Sequence, residues 1–253
     1  MSKTPVVSIV VLVRDRPYLM KTTLDSIFSQ KQQSYEVLVV ENGLDSLEKE
    51  FILSYPIGKL VTSSMKSLPI MLNKGLSLAK GKYVQFIFAG QLFLSARSLS
   101  VVIPFLENES YDFVYSPYLR RDDVPTVIYR PFSLKELKKG NVPTRLEACW
   151  FNRETINSVQ GFDYRYEYRY SYDLLCRLIK LKKFNVVSVD EVLTDYDYYY
   201  KSARILLRYS VETILILLKH FGITSTIVYC LIKDHLRFIK FWLKGVKKAF
   251  WNP

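Results

Sequence analysis

Apolar residues fill Val6–Val13 almost without a break (VVSIVVLV), the pattern of a strand covered on both faces of a parallel sheet. Beyond the polar RDR, Pro17 suits a first helical turn, and Leu19, Thr23, Leu24 and Ile27 recur on one helical face. YEVLVVENG is a second strand that ends on a polar turn. SLPIMLNKGLSLAKG is a second helix, with Ile70, Leu72, Leu76 and Ala79 inward and Gly81 as its stop. KYVQFIF is the next strand. This alternation predicts an α/β fold with a mostly parallel central sheet and helices on both faces. Ligands of such sheets sit beyond the carboxyl ends of the strands, here Val13–Arg16, Glu41–Gly43 and Phe88–Gln91.

The second half is less regular. YDFVYSPYLRR predicts a strand and PTVIYRPF another. RLEACWFNRETINSVQGFD reads as a strand and a short helix, SYDLLCRLIKLKKF as an amphipathic helix, and NVVSVDEVLTDYDYYY as a late strand pair. Between them, five tyrosines alternate from Tyr164 to Tyr172, which on pattern alone is a strand.

The composition changes near Lys201. The chain carries a net charge of +12, yet residues 201–253 hold ten Lys/Arg against only Glu212 and Asp234, so this segment alone supplies +8. Residues 1–200 form the predicted globular domain and 201–253 a basic helical tail. In the tail, Val228, Leu231, Ile232, Leu236, Ile239, Trp242, Leu243, Val246 and Phe250 recur at helical spacing among lysines and arginines. That is the pattern of a helix lying on an anionic membrane surface; packing on its own domain or on a second subunit is the alternative. Arg208 and Glu212, four apart in the preceding apolar stretch, argue against a spanning segment. A basic patch on the tail instead of the folded body disfavours nucleic acid as a partner. Three dispersed cysteines and two histidines disfavour a disulfide framework or a zinc site and fit a reducing compartment. The short apolar run at the N-terminus is read as a strand, not a signal peptide. The expected location is cytoplasmic, peripheral at the inner face of a membrane.

In order and spacing, VSIVVLVRDRPYLMKTTLDSI, YEVLVVENG, LNKGLSLAKGKYVQFI and GFD…YDLLCRL resemble the family-2 glycosyltransferases of the GT-A fold. The resemblance implies a nucleotide-sugar donor and an inverting transfer to a surface-glycan or lipid-linked acceptor. It implies donor contacts at Arg14, Asp15 and Arg16 after the first strand, at Glu41 and Asn42 after the second, and at Asn73 and Lys74. The family places an Asp-x-Asp metal motif at the end of the GKY strand; here those positions are Phe88 and Gly90, which cannot replace hard oxygen ligands. No metal cofactor is therefore expected, with Arg120 and Arg121 as candidates to neutralise a diphosphate instead. The family's base position aligns with Tyr170 and Ser171, leaving Asp173 and then Glu167 as the nearest acids for proton abstraction. Their bland readings are a helix N-terminal acid for Asp173 and a charge-paired loop residue for Glu167. Loss of both motifs leaves open a catalytically inactive relative that binds or tethers at the membrane, or draws its missing acids from another chain.

Overall fold

The structure, a computed structural model, describes residues 4–14, 16–108, 110–122, 124–197 and 203–231. Its strands in chain order are β1 (Val7–Val13), β2 (Tyr35–Glu41), β3 (Lys59–Thr62), β4 (Tyr83–Phe88), β5 (Phe113–Tyr115), β6 (Tyr118–Arg121), β7 (Thr126–Ile128), β8 (Cys149–Asn152), β9 (Val186–Ser188) and β10 (Thr194–Asp197). The helices are α1 (Met20–Phe28), α2 (Ser46–Leu53), α3 (Leu68–Leu78), α4 (Ser98–Asn108), α5 (Leu134–Lys138), α6 (Arg153–Ser158), α7 (Tyr170–Leu178) and α8 (Ala203–Tyr229). Seven strands make the main sheet in the order β3-β2-β1-β4-β8-β5-β9, and β10-β6-β7 make a small second sheet. β3, β2, β1 and β4 run parallel, and β8 is antiparallel to both β4 and β5.

Alternate residues of β1 supply two cores. Val10 and Leu12 face α3, α7 and α8, while Val7, Ile9, Val11 and Val13 face α1, α2 and α4. Every residue of β1 is buried, as its nearly continuous apolar run leads one to expect. The chain goes from β1 outward through β2 and β3, then returns across β1 to β4. The order of the strands therefore reverses between β1 and β4, which opens a crevice at their carboxyl ends.

Several details differ from the sequence reading. Gly81 does not stop α3, which ends at the Ala79 C-cap. A Cβ at Gly81 would lie 2.5 Å from the Ser8 backbone nitrogen, so glycine is needed for close approach to β1. Ser116 and Pro117 divide the expected strand after Tyr111 into β5 and β6, which belong to different sheets. β9 and β10 do not pair with each other; they join β5 and β6. The alternating tyrosines form no strand. Glu212 on α8 accepts hydrogen bonds from the consecutive N–H groups of Glu167 (3.1 Å), Tyr168 (2.8 Å) and Arg169 (2.9 Å), which curls this segment into turns ahead of α7. α2, α4, α5 and β3 lie in stretches where the sequence sets no element. α2 begins with a capping box between Asp45 and Glu48, and α4 buries Leu99, Val102, Ile103 and Leu106 at helical spacing despite Pro104.

α8 is tied to the body rather than appended to it. Ile216, Leu217 and Tyr229 are buried in the core beside α7, and Gly222 breaks the helical backbone at φ 77°. By length and composition Arg204–Tyr229 could cross a membrane, although 28% of its apolar window is buried in the protein. Its outward side exposes Leu207, Val211, Leu215 and Leu218. The tail residues from Ile232 onward lie outside the described residues.

Substituting Gly81→Ala is expected to cost about 1–3 kcal/mol through overpacking against β1, read as a lower midpoint in denaturant unfolding. An unchanged midpoint would show that α3 and β4 can shift away from Ser8.

Candidate functional site

The crevice at the ends of β1 and β4 is a cavity of about 480 Å³. Its floor is Leu12, Phe88, Ala89 and Gln91. A 3-10 turn, Leu146–Ala148, forms one wall, the Glu167–Ser171 segment a second, and Tyr196 with Ile205 and Tyr209 of α8 a third. Its charged lining is four arginines, Arg14, Arg16, Arg145 and Arg169, against two acids, Glu147 and Glu167.

The arginines are held differently. Arg14 donates to Glu167 at 2.7 Å, with both side chains about one-fifth exposed. Arg145 stacks over the Tyr196 ring at 3.9 Å. Arg169 is a brace: it donates to Gly140 O at 2.7 Å and to the Tyr209 hydroxyl, and it stacks on Tyr172 at 4.0 Å. Arg14, Arg16 and Arg145 bring three further guanidiniums to the cavity lining.

Glu147 is the unusual acid. It is 1% exposed, and its Oε1 has no hydrogen-bond partner. Burial pushes its carboxyl up to about 7, with Asp195 adding to the rise while Arg145 and Gln91 oppose it. Burial also pushes the neighbouring Cys149 thiol and the Tyr170 hydroxyl up. Sequence reasoning took RLEACW only as the lead into a strand and drew no chemistry from Arg145 or Glu147. The pairing of β8 with β4, which brings them to the crevice, leaves no local mark.

Of the expected donor contacts, Arg14 and Arg16 line the cavity, and Asp15 lies outside the described residues. Glu41 does not reach it. Its buried carboxylate accepts from Leu44 N at 3.0 Å, from the Thr62 hydroxyl and from Lys49 at 3.2 Å. Burial opposes that charge, but these partners outweigh it and keep the pKa below the usual carboxylate value. Asn42 donates to Ser63 O at 2.7 Å. Asn73 is consumed by a two-way clamp on Phe162, donating to its carbonyl at 2.7 Å and accepting from its N–H at 2.8 Å. A Cβ at Gly161, whose φ is +63°, would meet Asn73 Oδ1 at 2.5 Å, so the NKG and GFD stretches are structural partners. Lys74 is exposed on α3, away from the cavity.

The two candidate bases separate. Asp173 is fully buried and away from the cavity, where it accepts from Arg177 (2.8 Å), Lys219 (3.1 Å) and His220 (2.9 Å). Burial opposes its charge, but His220 and Arg177 prevail and hold it below its ordinary 3.8. It joins α7 to α8 and does not line the cavity. Glu167 does line the cavity, paired with Arg14 and accepting from Ser67 Oγ at 3.0 Å and Leu68 N at 3.3 Å, so it caps α3. Arg120 pairs with Asp122 at 2.7 Å, and Arg121 donates to Gly90 O at 2.6 Å and pairs with Asp195; neither lines the cavity.

The residues at the end of β4 do not fit a divalent metal. Phe88 and Gly90 offer no side-chain oxygen, and Gln91 Oε1 is taken by Phe88 N at 2.9 Å. Among the described residues no group of three or more His, Cys, Asp or Glu could hold one.

The family model for glycosyl transferase family 2 matches residues 8–164, more than half of the chain. No curated protein matches. Among solved structures, the fold is similar to residues 1–349 of TarS from S. aureus, with TM-score 0.66 and 12% identity over 85% of this chain and 66% of that one. The same fragment in complex with UDP-GlcNAc gives TM-score 0.67 at 13% identity, covering 92% and 73%. The mannosyltransferase PcManGT from Pyrobaculum calidifontis, in complex with GDP-Man and Mn2+, gives 0.65 at 16%, covering 86% and 64%. At these identities the likeness concerns the fold alone, and the chain spans about two thirds of each neighbour's length.

Asp173→Asn is expected to destabilise the fold by about 1–3 kcal/mol, because it removes the buried carboxylate charge that accepts from Arg177, Lys219 and His220. The loss should be seen at neutral pH and fade as pH falls through the lowered carboxyl pKa, where the native protein also loses this charge. Thermal melts from pH 7 to 2 check this; an unchanged melting temperature at pH 7 would deny Asp173 its structural role.

Proposed function

The chain belongs to glycosyl transferase family 2, and from that premise we propose that it transfers a sugar from a nucleotide-sugar to a surface-glycan or lipid-linked acceptor, with no resident metal. The observation that carries this reading is the arginine-lined cavity at the reversal between β1 and β4. A departing nucleoside diphosphate gathers negative charge, and fixed guanidiniums can stabilise it where a metal otherwise would. Arg14, Arg16 and Arg145 take that role. Glu167 positions Arg14, and the aromatic rings of Tyr168, Tyr170 and Tyr196 offer apolar faces for a sugar or base. The nucleotide-sugars present in the neighbours' structures, UDP-GlcNAc and GDP-Man, motivate the donor class.

A second reading, a binding module without turnover, is favoured by one observation: Phe88, Gly90, Tyr170 and Ser171 stand where the family's metal and base acids are expected. It differs in one outcome, donor binding without release of nucleoside diphosphate.

On this reading the acceptor approaches from a cytoplasmic membrane surface, which two features support. α8 exposes Leu207, Val211, Leu215 and Leu218 in one stripe and enters the cavity wall with Ile205 and Tyr209. The excess positive charge of residues 201–253 complements anionic lipid. A lipid-linked acceptor would then meet the cavity from the membrane side.

Calorimetry with a panel including UDP-GlcNAc and GDP-Man should show donor binding of equal strength with EDTA and with Mn2+. Arg145→Ala should weaken it roughly 10-fold or more, the loss of one charge-assisted contact. Binding that needs Mn2+ would contradict the arginine assignment. Removing residues 233–253 should release the protein from vesicles containing anionic phospholipid in a flotation assay; undiminished flotation would place the membrane contact elsewhere.

A further inference from the structure

We propose that Glu147 is the group that takes the proton from the acceptor hydroxyl, in place of the acids missing at the start of α7. This rests on the transferase reading above. The placement follows from the sheet. β8 runs antiparallel to β4 with Tyr83 opposite Asn152 and Val84 opposite Phe151. Glu147 lies in the 3-10 turn that leads into β8, and both it and Phe88 line the cavity. Gln85 Nε2 donates to the Glu147 carbonyl at 2.7 Å, which fixes the 3-10 turn against β4. A carboxylate absent from β4 itself is thus supplied to the same strand end by the neighbouring strand.

Its surroundings suit proton transfer better than structure or metal binding. Asp173, Asp195 and Glu41 are spent on cations and N–H groups, whereas Glu147, a residue of the cavity lining, keeps a buried Oε1 with no hydrogen-bond partner, which a small side-chain shift would have to turn toward an acceptor. The charged and titratable groups that act on it are Arg145 on its own turn, Asp195 of β10, Tyr118 of β6, Tyr170 of α7 and Cys149 of β8. Together with burial they hold its carboxyl near 7, where a base is both substantially ionised and strong enough to accept a proton at neutral pH.

In the step, the acceptor oxygen forms a bond to the anomeric carbon from the face opposite the diphosphate. The bond from that carbon to the phosphate oxygen breaks, and its electron pair leaves with the nucleoside diphosphate. The hydroxyl proton passes to the Glu147 carboxylate, and the arginines receive the charge of the leaving group. Water in place of the acceptor follows the same course and gives donor hydrolysis, which can be measured without knowing the acceptor.

The test compares the full-length protein with E147Q and E147D. It measures nucleoside diphosphate release from a donor panel including UDP-GlcNAc and GDP-Man, from pH 5 to 9, with binding followed by calorimetry. The wild type should hydrolyse one donor at a rate that rises with pH through an inflection near 7 and then levels. E147Q should bind that donor as tightly but turn over roughly 100-fold or more slowly, with the inflection gone. E147D, which keeps the carboxylate and checks that the site still folds, should retain part of the rate and an inflection. Wild-type rate and inflection in E147Q would overturn the role of Glu147 and leave the transferase reading standing. Absence of hydrolysis of every bound donor by the wild type would overturn both.

Discussion

The site depends on one carboxylate that never enters it. Glu212, on the first half of α8, collects three successive N–H groups of Glu167, Tyr168 and Arg169. Without it those donors would be buried unpaired or would seek a different fold of the segment. With it, the turn ahead of α7 is fixed, Glu167 reaches both Arg14 and the N-terminus of α3, and Arg169 braces Tyr209 and Gly140. A second tie, Asp173 with Lys219 and His220, holds the next two turns of α8 to α7. The helix with the exposed apolar stripe is therefore the helix that shapes the cavity wall. A surface that engages α8 acts on the element that sets the positions of Glu167, Tyr168 and Arg169.

The electrostatics of the cavity follow from what the strand ends lack. A metal site needs carboxylates converging on one point, and β4 ends in an aromatic ring and a glycine. The space is instead bordered by guanidiniums from the end of β1 and from the turn before β8, with one acid sunk among them. Arginine keeps its charge under all relevant conditions and presents a planar fork to phosphate oxygens, so several arginines can accept charge that develops on a leaving group. The same burial that shields Glu147 from water makes its ionised form costly, and that cost is what brings its titration near neutrality.

The parallel half of the fold was legible because β1, β2, α3 and β4 carry strong local periodicity. β3 was not, being a four-residue edge strand with no buried residue. Nor was α4, whose Pro104 masks a helical stripe that the structure buries fully. The tyrosine alternation was misleading because its geometry is imposed from a distance by Glu212, forty or more residues away in the chain. Of the cavity lining, Arg14, Arg16 and Glu167 were legible through the family resemblance, which marks the turn after β1 and the acids near the base position. Glu41 and Asn73 stand where the resemblance implies donor contacts, and Asp173 is the acid nearest its base position, but each is held by partners that only the tertiary structure reveals. Arg145 and Glu147 come to the same cavity as Phe88 through the turn before β8, whose long-range antiparallel pairing with β4 no window of sequence contains.

The central claim is that this cavity holds a nucleoside diphosphate through arginines rather than through a metal. A crystal structure of the full chain grown with UDP or GDP in the presence of EDTA tests it most directly. The account expects the diphosphate oxygens within hydrogen-bonding distance of Arg14, Arg16 or Arg145 at the ends of β1 and β4. A nucleotide seated elsewhere, or a diphosphate that enters this cavity only with a divalent ion bound beside Phe88 and Gly90, would contradict it.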